Sequence, residues 1–323
     1  MASFWERLFG GGGADSSVET SSSSSVTRPG TRLDGVQVVD VIDGDTIRVS
    51  IQGEEESLRF ICLDTEESQG GSNKPVTNAG KLASEMAKKF FSDDDGSWTK
   101  VSIEFESNAS LEECLTHERG NYGRLICYVY KGDVCYNLHA IRGGWSPYFV
   151  KYGTSQFFHK EMLEAEREAQ AYHRVIWDPT TNADSLSRDY ETLVPWWNSR
   201  GAWVDDYRAV GRGKGALEVR SDYPRLLEAM TNGETVTLFC DLQQGVSKDT
   251  ESGSVIFVGT QDRKFSLWIP KEDTEEHHAI LRLVHDRYAG HGRGFVYLKG
   301  QVSSFRDKPQ IVLRQLSQMS DGL

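Results

Sequence analysis

Hydrophobic and polar positions alternate in short runs along much of the chain. From Val36 the sequence reads VQVVDVIDGDTIRVSI, then SLRFICLDTEE, KVSIEF and RLICYVYKGDVCYNL. Such β-branched and aromatic runs, broken by Gly, Asp and Asn, predict strands. The Lys131-Gly132-Asp133 segment predicts a hairpin turn. Two stretches change to helical spacing: Ala79 to Phe91, and Phe158 to Arg174, where Glu164 and Arg167 lie one turn apart. A small barrel of strands with packed helices accounts for this half.

After Asp178 comes a polar link, TTNADSLSRD, and then YETLVPWWNSRGAWVDDYRAV, with Trp196, Trp197, Trp203 and Tyr207. Rings in such number anchor something: a helix packed against its neighbours, or a homodimer seam. Beyond Gly233 the pattern predicts strands at Thr235–Leu242, Val255–Gly259 and Lys264–Ile269, a helix at Glu272–Tyr288, and strands at Gly294–Ser304 and Gln310–Leu316. Three strands, a helix and two strands is the order of an OB-fold. Alternation puts Val236, Leu238 and Cys240 on one face and Phe239 on the other. An outer row of Phe239, Trp268 and Tyr297, with Lys299, Arg306 and Lys308 nearby, would suit single-stranded DNA or RNA, rings stacking on bases and cations tracking phosphates. The competing expectation is that these rings pack against the Trp-rich helix.

At 323 residues, with 38% hydrophobic and 26% charged positions, the chain has room for about two cores. Phe4, Trp5, Leu8 and Phe9 share one side of a short N-terminal turn, Gly10 to Gly13 break it, and a Ser-rich run follows at 16–25, predicting a disordered tether over 1–32. No stretch reaches the roughly 18 apolar residues of a bilayer span, and no secretion signal is visible, so the expectation is a cytoplasmic protein without a membrane span. Five cysteines without CxxC spacing suggest neither a disulfide framework nor a zinc site. His277 and His278 are adjacent, His285 and His291 have no cysteine partners and His117 lies in the stretch at 107–120, so all eight histidines read as ordinary surface or core residues. The net charge of -12 is uneven: 28 acidic residues face 18 basic ones up to Asp178, and 20 face 18 thereafter. Such a chain repels polyanions at long range, so a nucleic-acid partner needs local basic groups or bound cations.

Three polar patches interrupt the first set of strands. Asp43-Gly44-Asp45-Thr46 is a tight turn flanked by carboxylates; Arg59 precedes Asp64-Thr65-Glu66-Glu67; Tyr122-Gly123-Arg124 opens a strand. If its strand is unbroken, Arg59, Ile61 and Leu63 share one face and Phe60, Cys62 and Asp64 the other. Carboxylates at two separated turns are what a hard cation such as Ca²⁺ takes, and two arginines offer rigid forks for phosphate oxygens. A further carboxylate can hold an attacking water. These are the parts of metal-assisted phosphodiester hydrolysis.

The order of these patches carries a resemblance. IDGDT at 42–46, LRFICLDTEE at 58–67, NYGR at 121–124, IRGGW at 141–145 and EAQAYHRVIW at 168–177 make residues 36–178 resemble the staphylococcal-nuclease (thermonuclease) family. The resemblance implies a five-stranded OB-type barrel with three helices, and Ca²⁺-dependent hydrolysis of DNA and RNA to 3′-phosphate products. It implies that Asp45, Asp64 and the Thr65 carbonyl hold the cation, Ca²⁺ or another divalent ion, with Asp43 beside them. Glu67 falls on the family's water-positioning glutamate, and Arg59 and Arg124 on its phosphate-binding arginines. Tyr152 aligns with an aromatic that contacts the nucleotide, while Val150 stands where the family has a second tyrosine. The departures are Glu66 in place of a proline, a longer stretch at 107–120, Asn121 for a basic residue, and the acidic balance.

The expected fold class is β-rich α+β, an OB-type barrel with helices plus a second OB-like barrel. The expected division is a tether at 1–32, a nuclease-like domain at 33–178, a Trp-rich helical linker at 179–233 and an OB-like domain at 234–318 that aids substrate binding or dimerisation. The expected activity is a metal-dependent nuclease; the alternative is a non-catalytic nucleic-acid- or protein-binding scaffold of two OB-type domains.

Overall fold

The computed structural model describes residues 30–70, 74–184, 186–260 and 262–323. The aromatic N-terminal turn and nearly all of the expected tether lie outside them. Residues 31 and 32, assigned to the tether, are already structured: Thr31 N–H donates to the Ser107 carbonyl (2.7 Å) and Arg32 pairs with Glu104.

The first sheet comprises β1 (Arg32–Asp43), β2 (Thr46–Ile51), β3 (Glu54–Phe60), β4 (Lys100–Glu104), β5 (Leu125–Lys131) and the short β6 (Val134–Cys135). Its path is β3-β2-β1-β4-β5-β6, and a parallel pairing of β3 with β5, Leu58 opposite Leu125 and Phe60 opposite Cys127, closes β1 to β5 into a barrel. The alternation has its expected effect: Val36, Val38, Val41, Ile47, Val49, Leu58, Phe60, Ile103 and Val129 are buried in one core. Irregularities in the β1–β2 register bend the long first strand.

A helix at Asn78–Phe91 seals one side. Thr77 caps it by accepting from Gly80 N–H (2.9 Å), and Lys88 and Lys89 in its last turn complement the helix dipole. Gly80 is required by proximity, because a Cβ there would run into the Glu67 carbonyl. The longer stretch at 107–120 forms its own helix, Leu111–His117, begun by a Ser110/Glu113 capping box. The remaining helices of this half are Tyr136–Arg142 and His159–Ala171.

The second sheet comprises β7 (Leu217–Glu218), β8 (Thr235–Asp241), β9 (Lys248–Thr250), β10 (Gly253–Gly259), β11 (Lys264–Pro270), β12 (Phe295–Phe305), β13 (Lys308–Val312) and β14 (Met319–Ser320). Its path is β7-β8-β12-β13-β11-β10-β9. Leaving aside the short edge strands, the third and fifth strands pair in parallel in both sheets, and the cyclic order first-fourth-fifth-third-second is the same. The first sheet closes that cycle. In the second, β8 and β10 approach each other without a ladder among the described residues.

Between the sheets lies the Trp-rich helix, Tyr190–Asp206, which contains Pro195 and is capped by Asp189. Trp197 enters the first core and meets Phe149 edge-on at 4.9 Å. At the helix's far end Tyr207 stacks on Phe239 at 4.5 Å, and Phe239 on Phe295 at 5.1 Å. The helix is thus a joint within one chain. This corrects the reading of Phe239 and Tyr297 as base-stacking surface: they are 2% and 3% exposed and lie in a buried cluster with Val204 and Tyr207. Trp268 is half-buried on β11, while the cations named with that row, Lys299, Arg306 and Lys308, are exposed.

Arg200 fixes the joint. Its side chain is 1% exposed, donates to Asp241 Oδ2 at 2.6 Å and lies over the Phe295 ring at 4.8 Å. Removing one partner of a buried ion pair strands the other and empties its space, so Arg200→Ala should cost on the order of 3 kcal/mol of stability. Urea unfolding followed by tryptophan fluorescence measures it; a loss no larger than that of an exposed arginine would contradict the role.

Candidate functional site

The site forms where two loops meet at one end of the first barrel. The turn 43–46 joins β1 to β2, and its Gly44 carbonyl accepts from Tyr136 Oη (2.6 Å). A Cβ on Gly44 would come within 2.8 Å of Ala83 Cβ and Thr65 Cγ2, so the residue must be small. Asp43 accepts from Gly44 N–H (2.8 Å), and its carboxyl is pushed up to about 6, by burial first and then by the neighbouring Asp45. Asp45 is 3% exposed. Its Oδ2 accepts from the Thr65 backbone N–H (2.9 Å) and hydroxyl (3.1 Å), and its Oδ1 from the Thr46 hydroxyl (2.8 Å).

The second loop departs from the alternation that an unbroken strand would give. β3 stops at Phe60 and Cys62 has φ +60°, so the chain reverses and brings Asp64 back to Arg59 rather than onto the opposite face. Arg59 Nη2 donates to Asp64 Oδ1 (2.6 Å) and to the Leu63 carbonyl (3.1 Å), and Nη1 pairs with Asp45. Ser146, from the segment after the IRGGW motif, accepts from Asp64 N–H at 2.9 Å.

Two cations absent from the sequence reading complete the cluster. Arg188 Nη1 donates to Asp64 Oδ2 (2.7 Å) and to the Asp64 carbonyl (3.0 Å); its Nη2 donates to the Thr65 carbonyl (2.7 Å). Lys74 Nζ lies 3.6 Å from Asp64 Oδ1 and 3.5 Å from Glu67 Oε1. Burial alone would lift the Asp64 carboxyl, but Arg188, Arg59 and Lys74 outweigh it and hold it at about 2. For Arg59 and Arg188 burial opposes the charged form and the carboxylates prevail, so both stay above the ordinary arginine value. Glu66, in the place of the family proline, is 1% exposed and accepts from Tyr190 Oη (3.0 Å) and Asn182 Nδ2 (2.9 Å).

Arg124, at the start of β5, has different company. It reaches the Thr46 hydroxyl at 3.4 Å and faces the Tyr122 ring at 5.4 Å, and among the described residues it forms no ion pair. Burial and then Arg59 lower its pKa. Glu67 is mostly buried and close enough to influence both Arg59 and Asp43. Thus Asp43, Asp45, Arg59, Asp64, Thr65, Glu67 and Arg124 gather at one place. Tyr152 is 53% exposed beside Phe149 and Lys151. Phe239, Trp268, Tyr297 and Lys299 belong to the other sheet.

Asp45, Asp64 and the Thr65 carbonyl are oxygen donors of the kind Ca²⁺ prefers. Here, however, one guanidinium bridges the two carboxylates, and a second takes the other Asp64 oxygen and the Thr65 carbonyl. Among the described residues no three His, Cys, Asp or Glu side chains converge as a metal site. The arrangement as it stands is filled by arginines and does not fit a cation.

No family model matches the chain. Individual relatives do. A thermonuclease of Staphylococcus hyicus is 31% identical over 142 residues, spanning 44% of this chain and 74% of that protein. A thermonuclease of Staphylococcus intermedius is 30% identical over 139 residues, 43% of this chain and 73% of that one. Endonuclease YncB of Bacillus subtilis (strain 168) is 26% identical over 146 residues, covering 45% and 63% respectively. With a five-stranded barrel closed through β3 and β5, acidic turns and arginines gathered at its mouth, and relatives of that identity and coverage, the chain belongs to the thermonuclease family.

Proposed function

We propose that this chain is a nuclease that hydrolyses phosphodiester bonds of DNA and RNA, with single-stranded segments as the accessible substrate. The observation that carries this is Arg124: a half-buried guanidinium without a carboxylate partner among the described residues, beside Arg59, at the mouth of the barrel. A guanidinium without a counter-charge favours an anion beside it, and a phosphodiester supplies one. Beyond the barrel itself, the thermonucleases and endonucleases among the relatives support the reaction class.

In this reading Arg124 and Arg59 hold the non-bridging oxygens of the phosphate, and Glu67 orients a water toward phosphorus. The water oxygen bonds to phosphorus and its proton passes to Glu67. The bond from phosphorus to the 5′ oxygen breaks, and that oxygen takes a proton from solvent, leaving a 3′-phosphate. The charge added to the phosphate during attack falls on the two guanidinium groups. Lys74 holds Glu67 from the side, and Tyr152 offers an exposed ring to the nucleotide. The Ca²⁺ dependence implied by the family resemblance conflicts with the arginine-filled oxygens, and the steps above rest on the chain's own groups.

Arg124→Ala and Glu67→Gln should each lower cleavage of single-stranded DNA by about 10² to 10³-fold, the usual effect of losing one donor or base. Melting temperatures should stay near wild type, because neither side chain holds the two loops together. Undiminished cleavage in both variants would reject the assignment. A chain that binds the oligonucleotide but never cuts it, in chelator or in a series of divalent ions, would instead be a binding scaffold.

The depressed carboxyl of Asp64 sets an acid limit. Its folded value of about 2 lies below the ordinary carboxylate range, so its stabilisation is complete above about pH 4 and is lost as pH falls through 2. Asp64→Asn should remove on the order of 2 kcal/mol of stability at neutral pH and flatten the loss between those pH values. Urea midpoints at stepped pH measure both; an unchanged slope in the variant would rule out the linkage.

A further inference from the structure

Arg188 lies in the polar link between the first barrel and the Trp-rich helix, 124 positions from Asp64 along the chain. Its guanidinium nevertheless makes three hydrogen bonds to residues 64 and 65, two at 2.7 Å and one at 3.0 Å. Two of the groups it engages, the Asp64 carboxylate and the Thr65 carbonyl, are those the family resemblance gives to a divalent cation.

The segment that carries Arg188 is held at both ends by the same region. Asn182 donates to Glu66 Oε2 and accepts from Ala79 N–H at 2.9 Å. Tyr190 donates to Glu66 Oε1 at 3.0 Å. Glu66 stands where the family has proline, a residue without side-chain acceptors. The exchange of proline for glutamate and the arginine therefore belong to one arrangement, in which a carboxylate anchors the segment that delivers a guanidinium.

A Ca²⁺ ion needs oxygen ligands at roughly 2.3 to 2.6 Å. Nitrogens 2.7 Å from the same oxygens already occupy the space such an ion would take, and their positive charge repels it. We propose that Arg188 fills the cation position from within the chain, so that a divalent cation reaches Asp64 and the Thr65 carbonyl only by displacing the Arg188 guanidinium. The inference rests on reading those oxygens as the cation donors, and its test reads affinity and protection rather than cleavage.

Calorimetric titration of the full chain with Ca²⁺ should give at least about tenfold tighter binding for Arg188→Ala and for Arg188→Gln, which keeps the length of the side chain, than for wild type. Lys74→Ala controls for the bare removal of a charge: Lys74 is half-exposed and lies 3.6 Å from Asp64 Oδ1, so its loss should tighten binding by much less. In wild type, saturating Ca²⁺ should speed amide hydrogen exchange across 186–190, a readout that needs no variant to fold. Arg188 variants that bind no tighter than wild type, or no tighter than Lys74→Ala, would overturn the proposal. So would unchanged exchange at saturation, or an absence of Ca²⁺ binding in every protein. Cleavage by the wild-type chain is measured separately and can stand while this inference falls.

Discussion

A single guanidinium, that of Arg59, ties the two acidic turns together. It pairs with Asp45 on one side and Asp64 on the other, inside the end of the barrel where little water remains to solvate any of the three charges. Removing one member would leave the others buried without a counter-charge, which costs more than the pair contributes. The backbone is shaped to satisfy this grouping. β3 ends a residue after Arg59, Cys62 takes a left-handed conformation, and Thr65 returns to donate twice to Asp45. The mouth of the barrel is an electrostatic knot.

That knot explains what could be read from the sequence and what could not. The strands were legible because valine, isoleucine and leucine at alternate positions have one way to leave water, and the core contains them as the alternation implies. The site was legible as an ordered set of turns and arginines. Its internal geometry was not: Arg59 and Asp64 meet only because the strand breaks, and a cysteine in the left-handed region gives no local signal. Arg188 was invisible for another reason. A polar residue in a link rich in Thr, Asn, Asp and Ser looks like solvent-exposed chain, and only the fold shows that the link crosses the site.

The second sheet teaches a related lesson. Alternation correctly separated Phe239 from Val236, Leu238 and Cys240. It could not say what lay on the outer side, because periodicity reports that a face differs from its opposite and not whether water or protein covers it. Here the covering group is Tyr207, stacked nearly parallel to Phe239. The same helix sends Trp197 into the other core, so one element takes up the outer rings of one sheet and plugs a gap in the other. An arrangement of this kind makes the second sheet part of the structural support of the first.

This support gives the link its leverage on the site. Arg188 sits at the end of the first barrel and immediately precedes the helix seated on both cores, with Asp189 capping that helix one residue later. A shift of the joint would therefore pull on the guanidinium, and a change at Asp64 or Thr65 would press back on the helix. Glu66 stiffens this connection: a buried carboxylate with two donors, Tyr190 and Asn182, favours the docked segment in a way that a proline could not. Beside Glu67 the chain lacks the fixed backbone that a proline provides. In its place it has a polar contact, through Tyr190 and Asn182, between Glu66 and the chain that leads into the Trp-rich helix.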